Sequence, residues 1–426
     1  MQCLLSAGEA SGDTYGAQLI EALRGLSPGS SFFGMGGEKM RASGAELLVH
    51  ANEVAVVGLV EVVRHLPDIR RRFKHLVAEA ARRKPDAAIL IDFPDFNLRL
   101  ARELHRLGIP VFYFVSPQIW AWRTGRVQQI RKYVRKMIVI FPFEQEFYAR
   151  HGVEVSYVGH PLAYVPQPEI SREEFAAQHH LDPRKQWIAL LPGSRRKEVR
   201  LNLPVMAEAA GLLQKQNGEF EFLLPVASTL NQNWLRGQLE QMQGLKPLVD
   251  SDLNAALKGR SSTENLSSIG VRSSPGSKSN LAVQVRFTDN ARATLMHARA
   301  AVVASGTATV EAALSGTPFI VVYRLAPLTW LLGRRLVKLD TFAMPNLIAG
   351  KKIVPELIQK DFTAQNVLRE LNAIILDGPA RQQMEADLKM VQQRLRDSQH
   401  AESPAQRAAQ EIMGALRTVE NRYGNH

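Results

Sequence analysis

Two doubly wound α/β domains, each a Rossmann-like parallel sheet and facing each other across a cleft, form the architecture this sequence predicts. Three observations carry it. Short aliphatic runs alternate with helix-period segments almost throughout. The chain has 426 residues, long for one core, so two domains of roughly 150 to 200 residues are expected. The alternation breaks at "VGHPLAYVPQP" (158–168), with its three prolines, and begins afresh at "WIALLPGSRR" (187–196).

In the first half, strands are predicted at 2–6, 31–34, 87–92, 110–115, 136–141 and 154–158, with helices such as 12–25 and 96–107 between them. The turn after the first strand, "SAGEASGD" (6–13), carries Gly8 and Gly12, with Gly16 beyond. It fits neither the dinucleotide fingerprint nor the phosphate loop, and it offers the carboxylates Glu9 and Asp13. That suits a loop receiving hydroxyls rather than phosphates. In the second half a strand runs into the loop at 192–196, a helix covers 201–216, and "FEFLLPVA" (220–227) is a strand. A helix near 290–299, a strand at 300–304, a helix from about 307 and a strand at 319–323 follow. The expected domains are 1–165 and 166–360, and C-terminal helices at 361–426 either pack back on the first domain or exchange between two copies. "SSTENLSSIGVRSSPGSKSN" (261–280), with eight serines and no apolar period, marks an insertion over about 251–282. In doubly wound sheets ligands bind beyond the C-terminal strand ends, so the substrate cleft is expected between the domains.

An apolar content of 45% against 22% charged residues describes a soluble globular chain. No apolar run approaches the roughly 18 residues of a membrane span, and "AAILI", "MIVIF" and "FIVVY" are strand-sized. The N-terminus lacks a signal-peptide pattern, so a cytosolic location is expected. The single cysteine, Cys3, excludes internal disulfides. A net charge of +12 calls for anionic company. Basic clusters at 70–84, 123–136, 195–200 and 333–338, the last beside apolar "LTWLL" (328–332), suggest peripheral contact with an anionic membrane surface. Nucleic acid is disfavoured, because no helix-turn-helix, ribonucleoprotein pattern or zinc finger is present.

The strongest local signal is "AAVVASGTATVEAALSGTPFIVVY" (300–323). A strand ends at Ser305, Gly306 and Thr307 and a helix starts there, so free amides and the positive helix end can hold a diphosphate without a metal. Glu311, one turn deeper, can accept from ribose hydroxyls. Taken alone the segment reads equally well as an ordinary capped helix. In "LLPGSRRKE" (190–198), Gly193 and Ser194 form a turn and Arg195 can grip the same phosphates bidentately, the alternative being a solvated surface turn. Two such loops in one domain favour a nucleoside diphosphate. "AAILIDFPDFN" (87–97) sets Asp92 at a strand tip, either structural or a general base, and Asp95 as a helix N-cap. Trp120 and Trp122 either pack the domain or line an acyl or sugar pocket. No metal site is expected: Asp250 and Asp252 border the insertion, and His179 and His180 read as surface histidines. No "GxSxG" elbow supports a serine hydrolase.

Together "SAGEASGD", "FFGMGG", "VVGLVEVV", "IDFPDFN", "VSPQIWAWR", "FPFEQEFY", "VGHP", "LPGSR", "ASGTATVE", "YRLAPLTW" and "MPNLIAGKKIVPELIQ" resemble, in order, the lipid A disaccharide synthases. The resemblance covers residues 6 to about 360. It implies a GT-B type inverting glycosyltransferase, peripheral to the inner face of the bacterial inner membrane. Such an enzyme joins UDP-2,3-diacylglucosamine to the 6-hydroxyl of 2,3-diacylglucosamine 1-phosphate, giving the β-1,6 disaccharide and UDP, with no cofactor. The first domain would bind the acceptor and the second the UDP-sugar. By the same likeness Asp92 is the base, Glu9 and Ser11 are essential polar residues, and Arg195, Ser305, Thr307, Glu311 and Asn346, with Gly306 between, line the UDP site. A dimer exchanging segments past about 360 is implied too. The first strand is shorter than the family's, and the serine-rich stretch replaces a compact connection. Other UDP-sugar enzymes, such as a sugar epimerase or the peptidoglycan-precursor transferase, are the enzymatic alternatives, and a basic membrane-surface or RNA-binding protein is the non-enzymatic one.

Overall fold

The computed structural model describes residues 1–54, 59–122, 124–243, 284–324, 341–396 and 401–423. The serine-rich insertion, Asp250 and Asp252, the segment 328–332, the basic cluster 333–338 and the side chain of Trp122 lie outside the described residues.

The first sheet holds seven strands: β1 (Gln2–Ala7), β2 (Ser31–Gly36), β3 (Ala45–His50), β4 (Ala87–Ile91), β5 (Val111–Phe114), β6 (Lys136–Val139) and β7 (Val155–Tyr157). All pairings are parallel, in the order β3-β2-β1-β4-β5-β6-β7. The second sheet holds β8 (Gln186–Leu191), β9 (Phe220–Pro225), β10 (Val285–Thr288), β11 (Ala300–Ala304), β12 (Phe319–Tyr323) and β13 (Glu356–Ile358). It too is parallel, in the order β10-β9-β8-β11-β12-β13. Central strands in such sheets are covered on both faces and so become continuous apolar runs. Every residue of β4 ("AAILI") and of β11 ("AAVVA") is buried.

Among the elements the sequence reading did not place are the edge strands β3, β10 and β13 and the helix α10 (Gln232–Gln243). The strand predicted at 87–92 stops at Ile91, because Asp92 and Phe93 turn into left-handed backbone with φ of 45° and 51°. Helix α4 (Pro94–Arg106) then begins with Phe93 as its N-cap, so Asp95 is not the cap. It sits in the first turn, ion-paired with Arg126.

The chain passes between the lobes twice. The outbound pass, after β7, includes the single turn Pro161–Tyr164. The return follows the helix Pro379–Leu395, which packs on helix α12 (Thr307–Ser315) of the second lobe. The two passes are bonded side by side: the His160 amide donates to Leu395 O at 3.0 Å, and Arg396 Nε to Ala163 O at 3.0 Å. The helix Pro404–Tyr423 then lies against α1 (Ala10–Leu26) of the same chain's first lobe. Lys136 Nζ meets Glu411 at 2.6 Å and Arg135 donates to Ala415 O at 2.8 Å. Among the described residues no helix is long and apolar enough to cross a membrane.

Candidate active site

Each sheet reverses its winding once. In the first the reversal lies between β1 and β4, in the second between β8 and β11. Loops leaving such neighbouring strands splay apart and open a crevice. The first crevice is flanked by Glu9 and Ser11, at the start of α1, and by the turn carrying Asp92. The second is flanked by the loop carrying Arg195 and the turn carrying Gly306 and Thr307. The two crevices share one cavity of about 490 Å³, lined by all six of these residues together with Tyr15, Ser116, Arg126, Phe141, His160 and Met344, among others. Arg195 Nη2 and Glu9 Oε1, on opposite lobes, stand 3.9 Å apart.

Asp92 is held from behind by its backbone. Its carbonyl accepts from Tyr113 OH at 2.6 Å and from Asn97 Nδ2 at 2.8 Å. Asn97, fully buried, also donates to Ser6 O and Ile91 O at 3.2 Å and accepts from Ser6 Oγ at 2.6 Å. The loop after β1 and the turn after β4 thus share one clamp. Gly8 is the price of their proximity, since a Cβ there would stand 2.4 Å from the Phe93 ring. Burial pushes the Asp92 carboxyl up to about 6, and the Glu9 charge adds to the rise while a hydrogen bond from the Phe93 backbone opposes it. Asp92 is therefore a carboxylate at neutral pH that binds a proton more readily than an ordinary aspartate.

The two loops of the second lobe differ. Helix α12 starts after Gly306, at φ 148°, with no capping side chain and no acid in its first turn, so its leading amides stay open to an anion. Ser305 gives its own amide to Val322 O and does not line the cavity. Glu311, half-buried one turn deeper, also stands outside the lining, with its carboxyl raised by burial. Its charge reaches Tyr15 on the other lobe. At the start of helix α9 (Arg196–Gln216) the leading backbone amides are already taken. Glu198 Oε2 accepts from the amides of Ser194 and Arg195 at 3.1 and 3.3 Å, which leaves the Arg195 guanidinium as this loop's contribution.

Asn346 does not reach the cavity. It is fully buried, its Nδ2 donates to Val354 O and Glu356 Oε1, and its Oδ1 accepts from the Ile353 and Val354 amides. Every hydrogen-bonding position it has is used. Asp13 also turns away: its carboxylate caps α2 (Glu38–Ala42), accepting from the Gly37, Lys39 and Met40 amides at 2.7, 3.1 and 3.1 Å. His179, read as a surface residue, has a side chain only 11% exposed and 3.4 Å from Asp289, its ring tilted against that of Phe175 with centroids 4.5 Å apart.

The profile of the lipid-A-disaccharide synthetase family matches residues 3–255 and 274–412. The chain belongs to this family. A lipid-A-disaccharide synthase of Koribacter versatilis is 50% identical over 414 residues, covering 97% of this chain and 98% of that one. One of Geobacter sulfurreducens is 40% identical over 393 residues, covering 92% of each. Among solved structures, a putative UDP-N-acetylglucosamine 2-epimerase from Listeria monocytogenes superposes with a TM-score of 0.58 at 12% identity, over 99% of this chain and 97% of the other. MurG of Acinetobacter baumannii gives 0.53 at 13%, over 97% and 99%. At such identities these share the fold, the GT-B arrangement of two facing lobes. As a member of the lipid-A-disaccharide synthetase family the chain is a glycosyltransferase, an enzyme that forms the lipid A disaccharide.

One buried acid behind the cavity wall was not singled out by the sequence reading. Glu144, on helix α7 (Pro142–Arg150), is 1% exposed and accepts from Trp120 Nε1 and the Phe141 amide, both at 3.2 Å. It ties the loop after β5 to the loop after β6, and both line the cavity. Burial pushes its carboxyl up to about 8. Trp120 also meets the Phe143 ring edge-on at 4.9 Å, so it packs the wall. Only the order "FPFEQEFY" hinted at these duties, because a buried acid looks the same in sequence as an exposed one.

Proposed function

We propose that the cavity joins a UDP-linked diacylglucosamine to the 6-hydroxyl of a diacylglucosamine 1-phosphate, with inversion at the anomeric carbon. The acceptor oxygen attacks the anomeric carbon, its proton passes to Asp92, and the bond to the diphosphate breaks with its electron pair leaving on UDP. The open amides at the start of α12 and the Arg195 guanidinium meet the charge that grows on the departing diphosphate. Glu9 and Ser11 orient the acceptor. Asn346 serves this site as a support for the wall bearing Met344. The observation that carries the reading is the pairing across one cavity of a carboxylate with raised proton affinity and an uncapped helix start.

Both substrates are acylated anions, which fits a protein of net charge +12 working at an anionic membrane surface. Retention on anionic vesicles that falls with salt, and none on neutral vesicles, is expected. The α1 surface that receives Pro404–Tyr423 can take the same helix from a second copy, giving an exchanged dimer. Light scattering at two concentrations reads that state. For the chemistry, purified protein given the two acylated sugars is expected to release UDP, and Asp92→Ala to lose turnover while still binding UDP. Normal turnover by Asp92→Ala would overturn the assignment of the base.

A further inference from the structure

His160 faces the cavity without any part in the chemistry above. The residue is 2% exposed. Its Nδ1 accepts the Leu162 amide at 3.2 Å, capping the turn Pro161–Tyr164. A nitrogen that accepts an N–H carries no proton of its own, so the imidazole is neutral and its one proton sits on Nε2. Burial keeps it so, holding the ring's pKa down at about 3. The Phe141 ring at 5.0 Å and the bond from the His160 amide to Leu395 O fix the orientation. Among the described residues nothing accepts from Nε2. Nε2 is not among the fully buried polar atoms that lack a partner, so its N–H opens on the cavity, where a bound group can accept it.

We propose that His160 is a substrate-binding residue whose Nε2–H donates to an uncharged oxygen, a hydroxyl or an amide carbonyl, of the glycosyl unit held between the lobes. The diphosphate already has the α12 amides and a guanidinium. A neutral donor beside Ile140, Phe141 and Met344 offers direction without charge, in a wall where an anion would be poorly solvated. A ring neutral throughout the working pH range moves no proton, so the role is recognition. The inference rests on the cavity being the UDP-sugar site.

The test uses the full chain and two substitutions. In His160→Asn the side-chain oxygen can take the place of Nδ1 and keep the Leu162 cap, while the Nε2–H disappears. In His160→Gln the amide nitrogen falls near the Nε2 position. His160→Asn is expected to keep the melting temperature and the affinity for UDP alone, and to lower kcat/KM for the UDP-sugar by roughly ten- to a hundred-fold, the worth of one buried hydrogen bond. His160→Gln should recover part of the loss. Unchanged kcat/KM in His160→Asn would overturn the proposal. So would an equal loss of UDP affinity, which would place the contact on the diphosphate, or a lowered melting temperature without recovery in His160→Gln, which would make the residue structural. If Arg195→Ala leaves UDP affinity intact, it is the reading of the cleft that fails.

Discussion

Asp92, Phe93 and Val115 all adopt left-handed backbone, at φ 45°, 51° and 62°, and all stand at or beside the cavity. Non-glycine residues in that region cost about 1–3 kcal/mol each and persist only where their surroundings hold them. Asn97 supplies much of the hold, so Asn97→Ala is expected to lower stability by about 2–4 kcal/mol, read by denaturant melts. Asp92 also opposes the fold when ionised. Its folded pKa, about 6, lies above the ordinary 3.8, so stability present below pH 4 is lost as pH rises through 6. Asp92→Asn should therefore stabilise the protein at neutral pH by about 1–3 kcal/mol while abolishing turnover. For the same reason kcat/KM should fall tenfold per pH unit below about 6 and level off above it. Glu144 obeys the same sign over a wider window. The unfolded chain releases its proton near 4.5 and the folded one near 8, so the melting temperature should decline across that interval, and Glu144→Gln should flatten the decline. Trp120, bonded to Glu144, gives a fluorescence readout of the wall.

At the scale of elements, two helix starts with similar sequence signals do different work. The loop before α12 ends in a glycine with an empty cap, whereas the loop before α9 folds Glu198 back onto its own amides. Nothing local separates them, because a glutamate three residues into a helix caps it or faces solvent according to tertiary packing. The same limit hid the clamp by Asn97, the cap by Asp13 and the knot around Asn346, whose partners lie 5 to 91 residues away. Asp13→Ala should cost about 1–3 kcal/mol, since three amides of the Gly37–Met40 turn lose their acceptor, and hydrogen exchange at α2 should speed up. Strands were legible where both faces are covered, as in β4 and β11, whose apolar runs admit no other reading. They were not in β3, "AELLVH", an edge strand whose Glu46 and Leu pair suit a helix as well, nor in three-residue β13.

Across the whole molecule, the tandem architecture was legible because its signal repeats: many short runs, one proline-rich break and one fresh start after it. The route of the C-terminal helix was not, since an amphipathic helix fits any apolar face of matching width. Ala405, Ala408, Ala409 and Ile412 are buried by its docking on the first lobe. A chain ending at 396 is therefore expected to melt earlier and bind a hydrophobic dye, and its α1 region should be cut first by protease. The paired passes between the lobes have a mechanical corollary. A single tether would let the two halves swivel freely about a point, but two tethers bonded abreast, His160 to Leu395 and Ala163 to Arg396, define a line. Rotation about that line, as with a door on its pins, is the motion such a pair of tethers leaves open, and it is expected to change the 3.9 Å separation of Arg195 and Glu9.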